Sequence, residues 1–100
     1  MRALAEIALE SENFEAGVFW LNKGREEYRE EFLDSWVDYS LAKAYVSLGD
    51  ANSLRVVRAQ AEKRFPPSDH WLVLLQSLAE AFEWQRMSKV PALQNREPVR

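Results

Sequence analysis

Hydrophobic residues recur along this chain at the three- and four-residue intervals of an amphipathic helix. Leu41, Ala44, Tyr45 and Leu48, for example, follow the i, i+3, i+4, i+7 spacing. No segment keeps for long the period of two that a half-buried β-strand requires. The pattern predicts an all-α protein with five helices, over about 2–11, 13–31, 35–48, 51–64 and 69–87.

The breaks between these segments carry residues suited to helix ends. Asn13 and Asp50 precede the second and fourth helices, where their side chains can accept a backbone N–H. Gly49 suits the left-handed position that ends the third helix. The remaining N-caps are predicted at Asp34 or Ser35 for the third helix and at Ser68 or Asp69 for the fifth.

The last part of the chain differs in composition from the rest. Residues 88–100 contain Pro91 and Pro98 and few apolar side chains. We therefore predict one helical domain over 2–87 and a mostly disordered tail over 88–100.

Three short segments look alike at one fixed spacing. LAEIA begins at Leu4, LAKAY at Leu41 and LAEAF at Leu78, and both intervals are 37 residues (41 − 4 and 78 − 41). An alanine directly after each leucine would let a neighbouring helix approach closely, and Gly17 and Gly24 would do the same on the second helix. The spacing predicts a helix–turn–helix unit in about two and a half copies, whereas a chance likeness in an unrelated bundle is the alternative.

The repeated unit resembles the tetratricopeptide repeat, whose pattern is W-x₂-L-G-x₂-Y, then A-x₃-F, then P. In the second unit the matching residues are Leu41, Ala42, Tyr45, Ala61 and Pro66. The unit departs from the pattern at Asp38, where the family has Trp, and its spacing exceeds the usual repeat of about 34 residues. The resemblance covers residues 2–87 and implies a helical-repeat α-solenoid with a groove lined by the first helix of each repeat.

The resemblance also implies a function. Such a groove holds a peptide or a helix of a partner protein, which would make this chain a non-catalytic adaptor, assembly factor or chaperone. The groove positions carried over to this sequence are Arg2, Glu6, Trp36, Tyr39, Lys43, Val46 and Glu80. The central stripe of two aromatics, a lysine and a valine is the amphipathic kind of surface enriched at interfaces, although Trp36 could instead pack against the second helix. The acidic neighbours favour a partner of mixed or basic charge.

A second surface is predicted from apolar residues without an obvious place in the core. Val73 and Trp84 lie on the fifth helix, and Trp20 lies beside Phe19 on the second, where the two cannot both face inward. An exposed apolar patch of this kind marks an interaction site. The alternative function is therefore a homo-oligomeric scaffold that assembles through the terminal helix, or a slice of a longer repeat protein.

Composition narrows the function classes. The chain has 100 residues, a net charge of −3, no cysteine and one histidine, His70. The acidic balance argues against nucleic-acid binding, and no apolar run reaches the roughly 18 residues of a membrane span. His70 has no second ligand at metal-binding spacing, so we expect no metal, no cofactor and no enzymatic activity. The lack of cysteine and of a signal peptide makes the cytoplasm the expected compartment.

Overall fold

The computed structural model describes residues 2–96, with the side chains of 2–29 and 32–87. This part of the chain forms five α-helices, one short 3-10 helix and no β-strand, which confirms the all-α prediction. The elements are α1 (Arg2–Glu10), α2 (Phe14–Glu27), the 3-10 helix (Arg29–Phe32), α3 (Ser35–Leu48), α4 (Ala51–Arg64) and α5 (His70–Arg96).

Short polar side chains fix the helix starts. Asn13, Asp34, Asp50 and Asp69 each accept the backbone N–H of the residue three positions later, at 3.0–3.3 Å. The structure thus selects Asp34 and Asp69 from the alternatives left open by the sequence. Gly49 ends α3 in the left-handed region at φ 73°, as predicted. The predicted bounds of α3 and α4, 35–48 and 51–64, are confirmed. Each of these helices starts directly after a capping aspartate, Asp34 or Asp50.

Two helix ends differ from the prediction by more than one residue. The second helix does not continue to residue 31; it ends at Glu27, and the 3-10 helix folds Phe32 back under it. Phe32 is 1% exposed and packs on Gly24, where its ring occupies the space that a Cβ would need. The fifth helix runs on to Arg96, past the predicted end at Met87. Residues 88–96 of the predicted tail are therefore helical, and residues 97–100 lie outside the described residues.

The core lies along α3. Each helix packs against the next in the chain, and α3 packs against α5 as well as against α2 and α4. Ala5, Ala42 and Ala79, the alanines of the three similar segments, are all buried at 0–2% exposure. Gly17 is also buried, and a Cβ added to it would lie 2.6 Å from Leu9 Cδ2. The close approaches predicted at Gly17 and Gly24 are thus present, and the three alanines are buried.

Candidate binding groove

A groove lies on one side of α3, between α1, the start of α2 and the start of α5. Its volume is about 520 Å³, and its lining includes Glu6, Trp36, Tyr39 and Lys43, four of the residues predicted for a partner-binding surface. The remaining lining residues are Leu9, Glu10, Phe14, Ser40 and Trp71. We call this feature the aromatic groove. Ligand pockets in proteins measure roughly 300–1,000 Å³, so the groove is large enough to accept the anchor of a ligand.

The aromatic rings pack on one another across helices. The ring centroids of Tyr39 on α3 and Trp71 on α5 are 5.1 Å apart, with the planes tilted by 37°. The Lys43 ammonium lies 5.8 Å from the centroid of Tyr39, within the range of a cation–π contact. All four aromatic residues that line the groove, Phe14, Trp36, Tyr39 and Trp71, are only half-buried. The groove therefore keeps ring surface available to a ligand.

Asp69 lies at the start of α5, near the first residue of α3. Its carboxylate caps α5 by accepting the backbone N–H of Leu72 at 3.0 Å. The pKa of Asp69 is below its ordinary value, first because of the Ser35 hydroxyl and then because of the backbone N–H of Leu72. Trp36 directly follows Ser35, and Trp71 lies two residues after Asp69.

Charges of both signs surround the aromatic rings. Glu6 and Glu10 of α1 line one side of the groove, and Lys43 of α3 lines the other. Arg2 lies next to the groove, where its guanidinium is 4.4 Å from the centroid of Trp36 and 2.9 Å from the Asp34 carboxylate. The groove thus combines an apolar floor with a rim of mixed charge.

Two predicted groove residues lie elsewhere. Val46, near the end of α3, packs against the core and does not line the groove. Glu80 faces α4, where its carboxylate is 3.2 Å from Arg58. It belongs to a polar seam between α5 and α4 that also contains the pairs Gln76–Glu62 and Glu83–Arg55. The placement of Glu80 in the groove is wrong because α5 turns its polar stripe towards the arginines of α4.

The structure supplies Trp71 as the α5 residue that reaches the groove. An offset of 37 residues applied to Trp36 leads to Val73 (36 + 37), but α5 begins 35 residues after α3 (70 − 35). An offset of 35 applied to Trp36 leads directly to Trp71. The sequence already contained the 35-residue offset, because the capping residues Asp34 and Asp69 are also 35 residues apart (69 − 34).

The second predicted surface is partly present. Val73 and Trp84 are exposed on α5, at 44% and 70%, and Met87 follows them at 66%. Trp20 is misplaced in the prediction, because it packs against the core while its neighbour Phe19 is 55% exposed. Helical periodicity could not decide which ring of the adjacent pair faced inward.

The opposite side of α3 carries a buried charge that the sequence did not reveal. Asp38 is 0% exposed and bonds two arginines: Arg25 of α2 at 3.0 Å and Arg64 of α4 at 3.3 Å. Nε of Arg25 also donates to the carbonyl oxygen of Phe32 at 3.0 Å, while Nη2 of Arg25 is buried with no hydrogen-bond partner. We call Asp38, Arg25 and Arg64 the buried triad. Asp38 stands at the position where the repeat pattern has Trp.

The single histidine of the chain, His70, lies on the surface. His70 is exposed at the first position of α5, with its ring against Trp71 at 5.0 Å between centroids. Among the described residues, no cluster of three His, Asp or Glu side chains is arranged to hold a metal ion. None of the described helices combines the length and the apolar character needed to cross a membrane.

Comparison of the chain with known protein families, with curated proteins and with solved structures gave no match. The resemblance to the tetratricopeptide repeat therefore rests on the residues of this chain alone.

Proposed function

We propose that this chain is a non-catalytic binding module built from about two and a half tetratricopeptide-like repeats, and that the aromatic groove holds a segment of a partner protein. The observation that carries the proposal is the convergence of Glu6, Trp36, Tyr39 and Lys43 on one groove. The burial of the three equivalent alanines and the packing of α3 on α5 support the repeat architecture.

The groove chemistry defines the class of partner. Half-buried aromatic rings favour an apolar or aromatic anchor residue, as in the desolvated centre of other interfaces. The carboxylates of Glu6 and Glu10 favour basic residues on the flank of the partner that lies along α1, and Lys43 favours an acidic residue on the opposite flank. The expected ligand is thus an extended or helical peptide with one bulky apolar anchor between charged flanks.

A displayed library of random peptides, selected on the purified chain, tests this proposal. The selected peptides should share an aromatic or large aliphatic residue, and their binding should be weakened by Trp36→Ala and by Lys43→Glu. We expect a loss of about tenfold or more for Trp36→Ala, because buried aromatic anchors contribute 2 kcal/mol or more at many interfaces. Circular dichroism checks that each variant keeps its helical content.

Matched variants separate the groove from the rest of the surface. Trp84→Ala removes an exposed tryptophan outside the groove, and Lys63→Glu reverses an exposed lysine on α4. Both should bind the selected peptides like the native chain. If the selected peptides share no anchor, or if Trp84→Ala weakens binding as much as Trp36→Ala does, the aromatic groove is not the binding site.

The exposed stripe on α5 favours a second candidate, self-association. Val73, Trp84 and Met87 lie at helical intervals on one side of α5, and each is between 44% and 70% exposed. A self-associating chain would sediment above its monomer mass of 11.7 kDa and would melt at a temperature that rises with protein concentration. Trp84→Glu should return it to the monomer.

A further inference from the structure

A second cleft lies on the other side of α3, above the buried triad. Its volume is about 340 Å³, and it shares no lining residue with the aromatic groove. Its polar lining consists of the side chains of Asn22, Arg25, Asn52, Ser53, Gln60 and Arg64, with Tyr45 beside them. None of its lining residues is acidic. This composition is unusual for a chain whose net charge is −3.

The arginines of this cleft are not fully neutralised. Asp38 supplies one negative charge to Arg25 and Arg64, so the buried triad keeps one net positive charge. The side chain of Arg25 is only 16% exposed, and its Nη2 lacks a hydrogen-bond partner. The bonds from Arg64 to Asp38 and Gln60 are 3.3–3.4 Å long, at the upper limit for hydrogen bonds. This excess of guanidinium donors over acceptors, part of it on the Arg64 side chain that is 33% exposed, attracts an anion.

Two amide side chains of the cleft add hydrogen-bond donors. The amide oxygen of Gln60 already accepts from Arg64, and that of Asn52 already accepts from Arg55. Ser53 adds no donor, because its hydroxyl donates to the carboxylate of Asp50. The amide nitrogens are therefore the groups that Gln60 and Asn52 can offer to a ligand, which again matches an oxyanion.

The other wall of the cleft is apolar. Leu41, Val56 and Val57 line it together with the ring of Tyr45, and Val56 is 56% exposed. A fully hydrated inorganic anion would leave this wall unused, whereas a ligand with an apolar or aromatic body would cover it.

We propose that this cleft binds a small anionic metabolite, with a carboxylate or phosphate group on Arg64 and Arg25 and an apolar or aromatic body against Tyr45 and Val56. The proposal is independent of the aromatic groove, because the two sites lie on opposite sides of α3. It makes the chain a ligand-binding protein in addition to a protein-binding one.

Titration of the ¹⁵N-labelled chain with phenyl phosphate, benzoate and neutral benzyl alcohol, at constant ionic strength, tests the site. Phenyl phosphate or benzoate should give saturable shifts at the backbone amides of Asn52, Ser53 and Gln60, and the tighter of the two identifies phosphate or carboxylate as the preferred group. Benzyl alcohol should give none. Shifts that do not saturate for either anion, or equal binding of benzyl alcohol, would overturn the proposal.

Variants assign the binding to the arginine. Arg64→Gln should weaken the preferred anion by about tenfold, the value of one charge-assisted hydrogen bond. Arg64→Lys keeps the positive charge beside Asp38, so it should stay folded, yet it should still bind more weakly because an ammonium lacks the bidentate fork. Lys63→Gln, the neighbouring exposed cation, is the control and should bind like the native chain. Native-like binding by Arg64→Lys and Arg64→Gln, or an equal loss in Lys63→Gln, would place the anion elsewhere.

Discussion

The two sides of α3 differ in how deeply their aromatic and charged side chains are buried. One side presents Trp36, Tyr39 and Lys43 to a groove, and each of these side chains keeps part of its surface in water. The other side buries Asp38 completely between two arginines. The groove side packs Trp36 and Tyr39 on the core and leaves part of each ring exposed, whereas the Asp38 side joins three helices through one buried carboxylate.

Helical periodicity predicts one side of α3 but not the other. The groove residues of α3 lie three and four positions apart on one helix, so their common face is a local property. The partners of Asp38 are 13 and 26 residues away in the chain, on α2 and α4. A lone Asp among apolar residues indicates that something compensates it, but the sequence does not say which of the 13 basic residues does so.

The largest effect should come from breaking the buried triad. Asp38→Asn leaves Arg25 and Arg64 without their carboxylate, and loss of one partner of a buried ion pair costs about 3–5 kcal/mol. We expect the lower end of that range, since a third of the Arg64 side chain is exposed to water. The free energy of unfolding in urea measures it. A loss below about 1 kcal/mol would show that the two sides of α3 differ less than their burial suggests.

The packing beneath the triad gives the next largest effect. Gly24→Ala should cost about 1–3 kcal/mol, because the new methyl meets the ring of Phe32, whose carbonyl oxygen holds Arg25. Gly17→Ala is the matched control. It meets only the mobile end of Leu9, and the better helix propensity of alanine, about 1 kcal/mol, offsets that contact. Equal melting temperatures for the two variants would contradict this account.

An ion pair on the groove side should matter much less. Arg2→Gln removes the exposed contact with Asp34 and the stacking on Trp36. Exposed pairs and cation–π contacts each contribute about 0–1 kcal/mol, so the change in unfolding free energy should stay below about 1.5 kcal/mol. The loss should shrink further at 1 M salt. A loss as large as that of Asp38→Asn would remove the distinction between the two sides.

The smallest expected effect is the loss of stability at low pH that comes from protonation of Asp69. The pKa of Asp69 is below its ordinary value of 3.8 because Ser35 and the Leu72 backbone N–H bond the ionised form. A lowered folded-state pKa means that this stabilisation is fully present above pH 3.8 and is lost as pH falls through the folded value. Ser35→Ala should move the titration of Asp69, followed by carboxyl ¹³C NMR, up towards 3.8. An unchanged titration would mean that Ser35 does not link α3 to α5.

Much of the fold follows from short-range signals. The starts of four helices could be predicted to within one residue, at Asn13, at Asp50 and at the pairs Asp34/Ser35 and Ser68/Asp69, because a cap needs only a polar side chain and the N–H three residues on. The end of α2 could not be read in this way. It depends on Phe32 finding the space at Gly24, a contact between segments that helical periodicity treats as one helix.

The candidate sites also combine features that follow from local sequence with features that depend on contacts between helices. The sequence alone was enough to place the five helices, the caps at Asn13 and Asp50, the buried alanines and the aromatic stripe of α3, because these depend on neighbours within about one helical turn or on a small side chain. Tertiary packing was needed to show that Glu80 turns away from that stripe, that Phe19 is more exposed than Trp20, and that Asp38 lies between Arg25 and Arg64. Those outcomes depend on how each helix is rotated about its own axis. Rotation is set by the summed packing of all neighbouring helices, which no local pattern contains.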